Sequence, residues 1–219
     1  MHGENSVPGI QSALAMGADG VEIDLRHTAD GVAIGVHDKF LWRIANDKQG
    51  KHCPKFTFIE DLFLREIRDN CLGQNLEEIA TLHEILDSLR NSDSFLLLQL
   101  KDSPSEQTVE LLHDFPNKSR LRIHSFWESC LERFDELAKS HGFSVKSLKI
   151  SKYFPRLSTA RGNDLWWPFR RLLDRDQALR QREVGLFLAD TKEELDEASA
   201  LLVDFVTTDR PSICNTSRR

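Results

Sequence analysis

The chain has 219 residues, 40% hydrophobic and 29% charged, an ordinary composition for one sizeable core. Its formal net charge of −6 argues against a broad electrostatic grip on nucleic acid, while leaving room for a local basic pocket that takes a small phosphate. No apolar run approaches the ~18 residues that a membrane span requires, and no basic-then-apolar signal segment opens the chain. The four cysteines, Cys53, Cys71, Cys130 and Cys214, are widely spread and include no CxxC pair. They read as reduced thiols in a cytoplasmic protein.

Along the chain, short β-rich runs alternate with segments of helical period. A helix is expected over 9–16, followed by strands at 21–25 and 32–36. Residues 41–74 then form an insertion, with Lys48-Gln49-Gly50-Lys51 as a turn. Helix 82–89, strand 95–100, helix 105–112, strand 121–126, helix 130–140 and strand 145–150 follow. Residues 154–182 carry Trp166, Trp167, Phe169 and several arginines and read as a second surface loop or lid. Core or lid packing is the leading role for the adjacent indoles. Strand 184–188, helix 192–202 and strand 204–208 close the pattern.

Such alternation predicts an α/β fold with a mostly parallel sheet. Seven strands are one short of a closed eight-stranded barrel, and the chain opens on a helix. The expectation is one domain, 1–219, lacking a first strand. Only a few residues around Asp30-Gly31 separate the first two strands, too few for a parallel crossover. They are expected to form a hairpin that sets the Glu22 end of one strand beside the His37 end of the other.

Within Val21-Glu22-Ile23-Asp24-Leu25, Glu22 and Asp24 share one face. Two carboxylates so close repel each other, and a hard cation such as Mg²⁺ or Ca²⁺ relieves the repulsion. For a bare E-x-D, a wet strand face is the commoner outcome. His37 leaves the second strand where proton transfer at neutral pH is feasible. Gln99 and Lys101 share a face in Leu98-Gln99-Leu100-Lys101 and offer a neutral oxygen ligand and a point charge for phosphate.

The run Glu4-Asn5-Ser6, Gly17-Ala18-Asp19-Gly20-Val21-Glu22-Ile23-Asp24, Thr28-Ala29-Asp30-Gly31 and His37-Asp38 resembles the glycerophosphodiester phosphodiesterase family. Ile79-Ala80-Thr81-Leu82, Leu98-Gln99-Leu100-Lys101, Ser125-Phe126 and the stretch from Val203 to Pro211 extend the likeness in the same order. The resemblance implies a TIM-type barrel of the phospholipase C-like kind, with seven of eight strands in this chain. It implies hydrolysis of glycerophosphodiesters to an alcohol and glycerol 3-phosphate, within lipid metabolism, on a small-molecule substrate.

By the same resemblance, Glu22 and Asp24 fill two metal positions, for Mg²⁺ or Ca²⁺, and Gln99 stands where the family has a third carboxylate. His37 fills one of two histidine positions, Lys101 a phosphate contact and Arg43 the place of a family arginine. The family's upstream His-Arg-Gly motif has no counterpart in this chain. A non-catalytic phosphodiester-binding homologue and a phospholipase D-like lyase acting on lysolipid phosphodiesters are the alternatives.

Overall fold

The computed structural model describes residues 2–152, 157–175 and 181–216. The Ser6 hydroxyl accepts from the Gly9 N–H at 3.1 Å, satisfying a first-turn donor of helix α1, Val7–Ala15. Strands β1 (Gly20–His27) and β2 (Ala33–Gly35) form the expected antiparallel hairpin, with Leu25 opposite Gly35 and His27 opposite Ala33. Between them Gly31 turns the chain at φ +76°, a conformation that strains other residues. β3 (Asn46–Asp47), α2 (Leu64–Asn70) and β4 (Cys71–Leu72) lie in the insertion. Then follow α3 (Leu82–Leu89), β5 (Phe95–Leu100), α4 (Glu106–Asp114), β6 (Leu121–Ser125), α5 (Glu128–Ser140), β7 (Lys146–Ser151) and β8 (Gly162–Trp166). α6 (Leu172–Arg175), β9 (Val184–Phe187), α7 (Lys192–Ala200) and β10 (Phe205–Thr207) complete the order.

Eight strands form one sheet in the order β10-β9-β8-β7-β6-β5-β1-β2. Every pairing in it is parallel except β1 with β2. Strand alternation sorts the side chains. Ile23, Leu25, Leu96, Leu98, Leu100 and Ile123 enter a buried layer with Ile85 of α3, Leu112 of α4 and Phe134 of α5. Each such side chain contributes ~1.5–3 kcal/mol on burial. Glu22, Asp24, Gln99 and His124 occupy the alternate positions, and the register sets Asp24, Gln99 and His124 in one row across β1, β5 and β6. A slip of one residue would drive both acids into the helix layer, so the apolar pattern also fixes where the charges point.

Two expectations are corrected here. The sheet has one strand more than the seven anticipated, because β8 lies between β7 and β9 within the segment taken for a lid. Asn163-Asp164 reads as turn chemistry in sequence, yet Asn163 satisfies itself locally. Its Oδ1 accepts from the Ser158 N–H at 2.7 Å and its Nδ2 donates to the Ser158 carbonyl at 3.1 Å. Leu165 and Trp167 then pack into a core with Leu173 and Leu186. Residues 153–156 and 176–180 of that segment lie outside the described residues.

Seven strands run parallel, and among the described residues no strand joins β10 to β1. β10 pairs only with β9, and β1 pairs with β2 only over its second half. The two edges nevertheless approach at one end. The Asp209 carboxyl, just beyond β10, is pushed up by burial and then by the charges of Asp190, Glu4 and Asp24.

The insertion is not a bare loop. Leu41, Ile44, Ile59, Leu62 and Ile67 bury together against Ile34 and Val36 of the hairpin. Cys53 and Cys71 form a disulfide, which overturns the reduced-thiol reading for this pair. Pairing of β3 with β4 folds the two ends of the insertion together and brings the cysteine Cα atoms to 4.8 Å. A sequence separation of 18 residues gives no sign of that pairing. Cys130 is a buried free thiol, and the Cys214 side chain lies outside the described residues. Replacing Cys53 and Cys71 together by alanine should lower unfolding stability by about 2–4 kcal/mol, the range for closing a loop of this size. Urea midpoints of the two proteins measure it, with an unchanged midpoint counting against a structural bridge.

Candidate active site

β1 carries the centre of the site. Glu22 and Asp24 lie side by side on its non-core face, as the alternation predicts, and each is met by a different cation. Lys101, just past β5, places Nζ 2.9 Å from Asp24 Oδ1. Asn5 clamps the same carboxylate: its Nδ2 donates to Oδ2 at 3.2 Å and its Oδ1 accepts from the Asp24 N–H at 2.9 Å. Gly35 makes this clamp possible, because a Cβ there would stand 2.8 Å from the Asn5 carbonyl.

Glu22 meets His124 of β6, whose Nε2 lies 3.2 Å from Oε1. The other ring nitrogen, Nδ1, lies 2.8 Å from Oδ2 of Asp164 on β8. Burial raises the Glu22 carboxyl and Asp24 raises it further, while His124 and Lys101 pull against them. Burial also works against charge on His124, but its bonds to Asp164 and Glu22 prevail and push it up to about 9.

The hairpin brings His37 to this end of β1. The Val36 N–H donates to the Asp24 carbonyl at 3.0 Å, and the His37 carbonyl accepts from Arg26 Nε at 3.1 Å. The His37 ring is exposed, with Nδ1 2.7 Å from Asp38 Oδ1. Partial burial opposes the Asp38 charge, yet hydrogen bonds from Arg43 and His37 hold its carboxyl low. Arg43 is tied up in this structure. Its two terminal nitrogens meet the Glu4 carboxylate at 2.5 and 2.7 Å, and its Nε meets Asp38 at 2.6 Å. It thus fastens the insertion to the residues before α1.

Of the residues singled out in sequence, Glu22, Asp24, Gln99 and Lys101 come together on β1 and at the end of β5, while His37 follows Val36, whose N–H donates to the Asp24 carbonyl, and turns its ring to Asp38. Arg43 borders them. His124, Asp164, Asn5 and Arg26 were not singled out as individual site residues. His124 had one usable signal, a polar residue alternating with Leu121 and Ile123 in a run otherwise suited to a core strand. Asp164 had none, since its strand was hidden in turn-like residues.

The donor set suits a hard cation on chemical grounds. Glu22, Asp24 and Gln99 offer oxygens only, and Gln99 Oε1 is a buried acceptor without a hydrogen-bond partner, on the strand position opposite Asp24. Among the described residues no three His, Cys, Asp or Glu side chains converge into a ready metal cluster.

A curled, mostly parallel α/β sheet with acids, a histidine and a lysine at one end of its strands defines a barrel-type enzyme scaffold. The model of the glycerophosphoryl diester phosphodiesterase family matches residues 1–149, and the chain belongs to that family. A glycerophosphodiester phosphodiesterase from Caldanaerobacter subterraneus subsp. tengcongensis is 22% identical over 95% of this chain and 89% of its own length. An Oleispira antarctica phosphodiesterase, solved in complex with sn-glycerol-3-phosphate, is 21% identical and superposes with a TM-score of 0.79 over 98% of this chain and 91% of that one. An Agrobacterium tumefaciens glycerophosphodiester phosphodiesterase is 20% identical and gives 0.78 over 95% and 91%. These likenesses bear out the expected α/β barrel-type fold.

The His124 ring sets a pH dependence. Its charge is favoured in the folded protein, so the associated stability is complete below about 6.5 and is lost as pH rises through about 9. In metal-free buffer, unfolding stability should fall by roughly 3 kcal/mol across that window. His124→Gln should flatten the curve, as measured by denaturant unfolding at stepped pH.

Proposed function

We propose that this chain hydrolyses small glycerophosphodiesters to an alcohol and glycerol 3-phosphate with the help of Mg²⁺ or Ca²⁺ held by Glu22, Asp24 and Gln99. The observation that carries the reading is the side-by-side pair of β1 carboxylates beside the unpartnered oxygen of Gln99. Bound there, a divalent cation supplies Lewis acidity toward phosphoryl oxygens. The chain's own groups supply the rest. Lys101 contributes positive charge beside the acids. His37, oriented through Nδ1 by Asp38, gives or takes a proton at Nε2. The Oleispira antarctica relative with sn-glycerol-3-phosphate supports a substrate of this size.

A second reading, a phosphodiester-binding homologue without turnover, is favoured by one contact. Lys101 already neutralises Asp24 at 2.9 Å, so a cation competes with an internal partner. We infer a compartment from the disulfide. The expectation of a cytoplasmic protein rested on reduced thiols, and the Cys53–Cys71 bridge points instead to maturation under oxidising conditions. No helix among the described residues is long and apolar enough to cross a membrane.

Release of glycerol 3-phosphate from glycerophosphocholine, with Mg²⁺ or Ca²⁺ and with EDTA, separates the two readings. Cation-dependent release is expected, reduced to background in Glu22→Ala and Asp24→Ala. His37→Ala should lower kcat by ~10²–10⁴-fold. Gln99→Glu should lower the cation concentration needed for half-maximal rate. Binding of glycerol 3-phosphate without any turnover would establish the non-catalytic reading.

A further inference from the structure

The side chains opposite β1 include one arrangement that the reaction itself does not call for. Asp164 is fully buried, and one of its oxygens, Oδ1, has no hydrogen-bond partner. A buried carboxylate with one oxygen unsatisfied is costly, and an apolar residue of similar volume would spare that cost. Its other oxygen meets His124 at 2.8 Å, and the far side of that ring meets Glu22 at 3.2 Å. The three residues sit on β8, β6 and β1, strands separated by β7 and β5, so the contact runs between non-adjacent strands. Space for it is provided at Gly185 of β9, where a Cβ would stand 2.7 Å from Asp164 Oδ1.

We infer that His124, held by Asp164, is a positioning residue that fixes the Glu22 carboxylate in the orientation needed to take a divalent cation. This rests on the reading of Glu22 as a cation ligand. His124 is only 2% exposed, so it acts through Glu22 and not on substrate. A carboxylate only accepts, so each ring nitrogen facing one must donate. The ring is thereby held at both ends and fixes Oε1 of Glu22. Without it, Glu22 lies beside Asp24 with no counter-charge of its own and with its rotamers released. Outer partners of this kind typically change metal affinity by ~10–100-fold.

Calorimetric titration of the full chain with Mn²⁺, compared with Mg²⁺, tests this. Asp164→Asn keeps the volume and removes the charge, and His124→Gln removes the link. Both should weaken cation binding by ~10–100-fold while kcat at saturating cation stays close to that of the unaltered protein. A loss confined to kcat, or unchanged affinity in both variants while Glu22→Ala abolishes binding, overturns the positioning role and leaves the cation reading intact. No binding by the unaltered protein, or unchanged binding in Glu22→Ala, defeats the cation reading and the inference together. If the variants fail to fold, the unaltered protein still decides the matter. ¹H–¹⁵N spectra of its His124 ring should show the hydrogen-bonded Nε2–H persisting on Mg²⁺ loading, and its disappearance refutes the link.

Discussion

Two like charges two residues apart on one strand dominate the architecture of this site. The apolar alternation of β1 aims Ile23 and Leu25 into the helix layer, which forces Glu22 and Asp24 to the same opposite face. Neither acid can be left alone there, because the partly buried setting strengthens their repulsion. The fold answers with separate partners drawn from separate segments of the chain. Lys101 and Asn5 take Asp24, and His124 takes Glu22. Parallel pairing of β1 with β5 and of β5 with β6 places these partners in reach, so the sheet order and the charge pairing are one constraint viewed at two scales.

A second set of ion pairs surrounds the first. Arg43 joins Glu4 to Asp38, and Asp38 orients the His37 ring. The segment before α1, the β2 exit and the insertion are thus drawn together at the end of the strands where His37 is exposed. The insertion can serve as an anchor because it has its own buried cluster and a disulfide across it. Arg26 adds a backbone tie by donating to the His37 carbonyl. An exposed imidazole held through its backbone and through Nδ1 would, in the proposed proton-transfer role, lose little entropy when substrate arrives.

Much of this was legible in sequence because it depends on local periodicity. The β1–β2 hairpin followed from the short Asp30-Gly31 link, and the shared face of Glu22 and Asp24 followed from a period of two. What escaped depends on contacts between distant segments. β8 was obscured because Gly162, Asn163 and Asp164 are residues that mark turns when nothing packs on them. The disulfide was obscured because Cys53 and Cys71 meet only after β3 and β4 pair. His124 and Asp164 are 40 residues apart, and neither carries local information about the other. Arg43 and Lys101 were recognisable as cations near the acids, but sequence could not show that each already has an internal carboxylate partner.

Gln99 gains a physical meaning from this charge arrangement. With both His124 nitrogens facing carboxylates, Glu22, Asp24 and Asp164 are balanced by Lys101 and His124 to within one negative charge. A third acid at position 99, in register between Asp24 and His124, would add another uncompensated charge to a buried row. A neutral amide spares the cation-free protein that repulsion, and in exchange it gives a hard cation a weaker ligand. The same residue that makes the resting fold self-consistent would therefore hold the proposed cation less tightly. On the proposed cation reading, the orientation of Glu22 then matters more than it would beside three carboxylates, since fewer charged donors remain to compensate for a misplaced one.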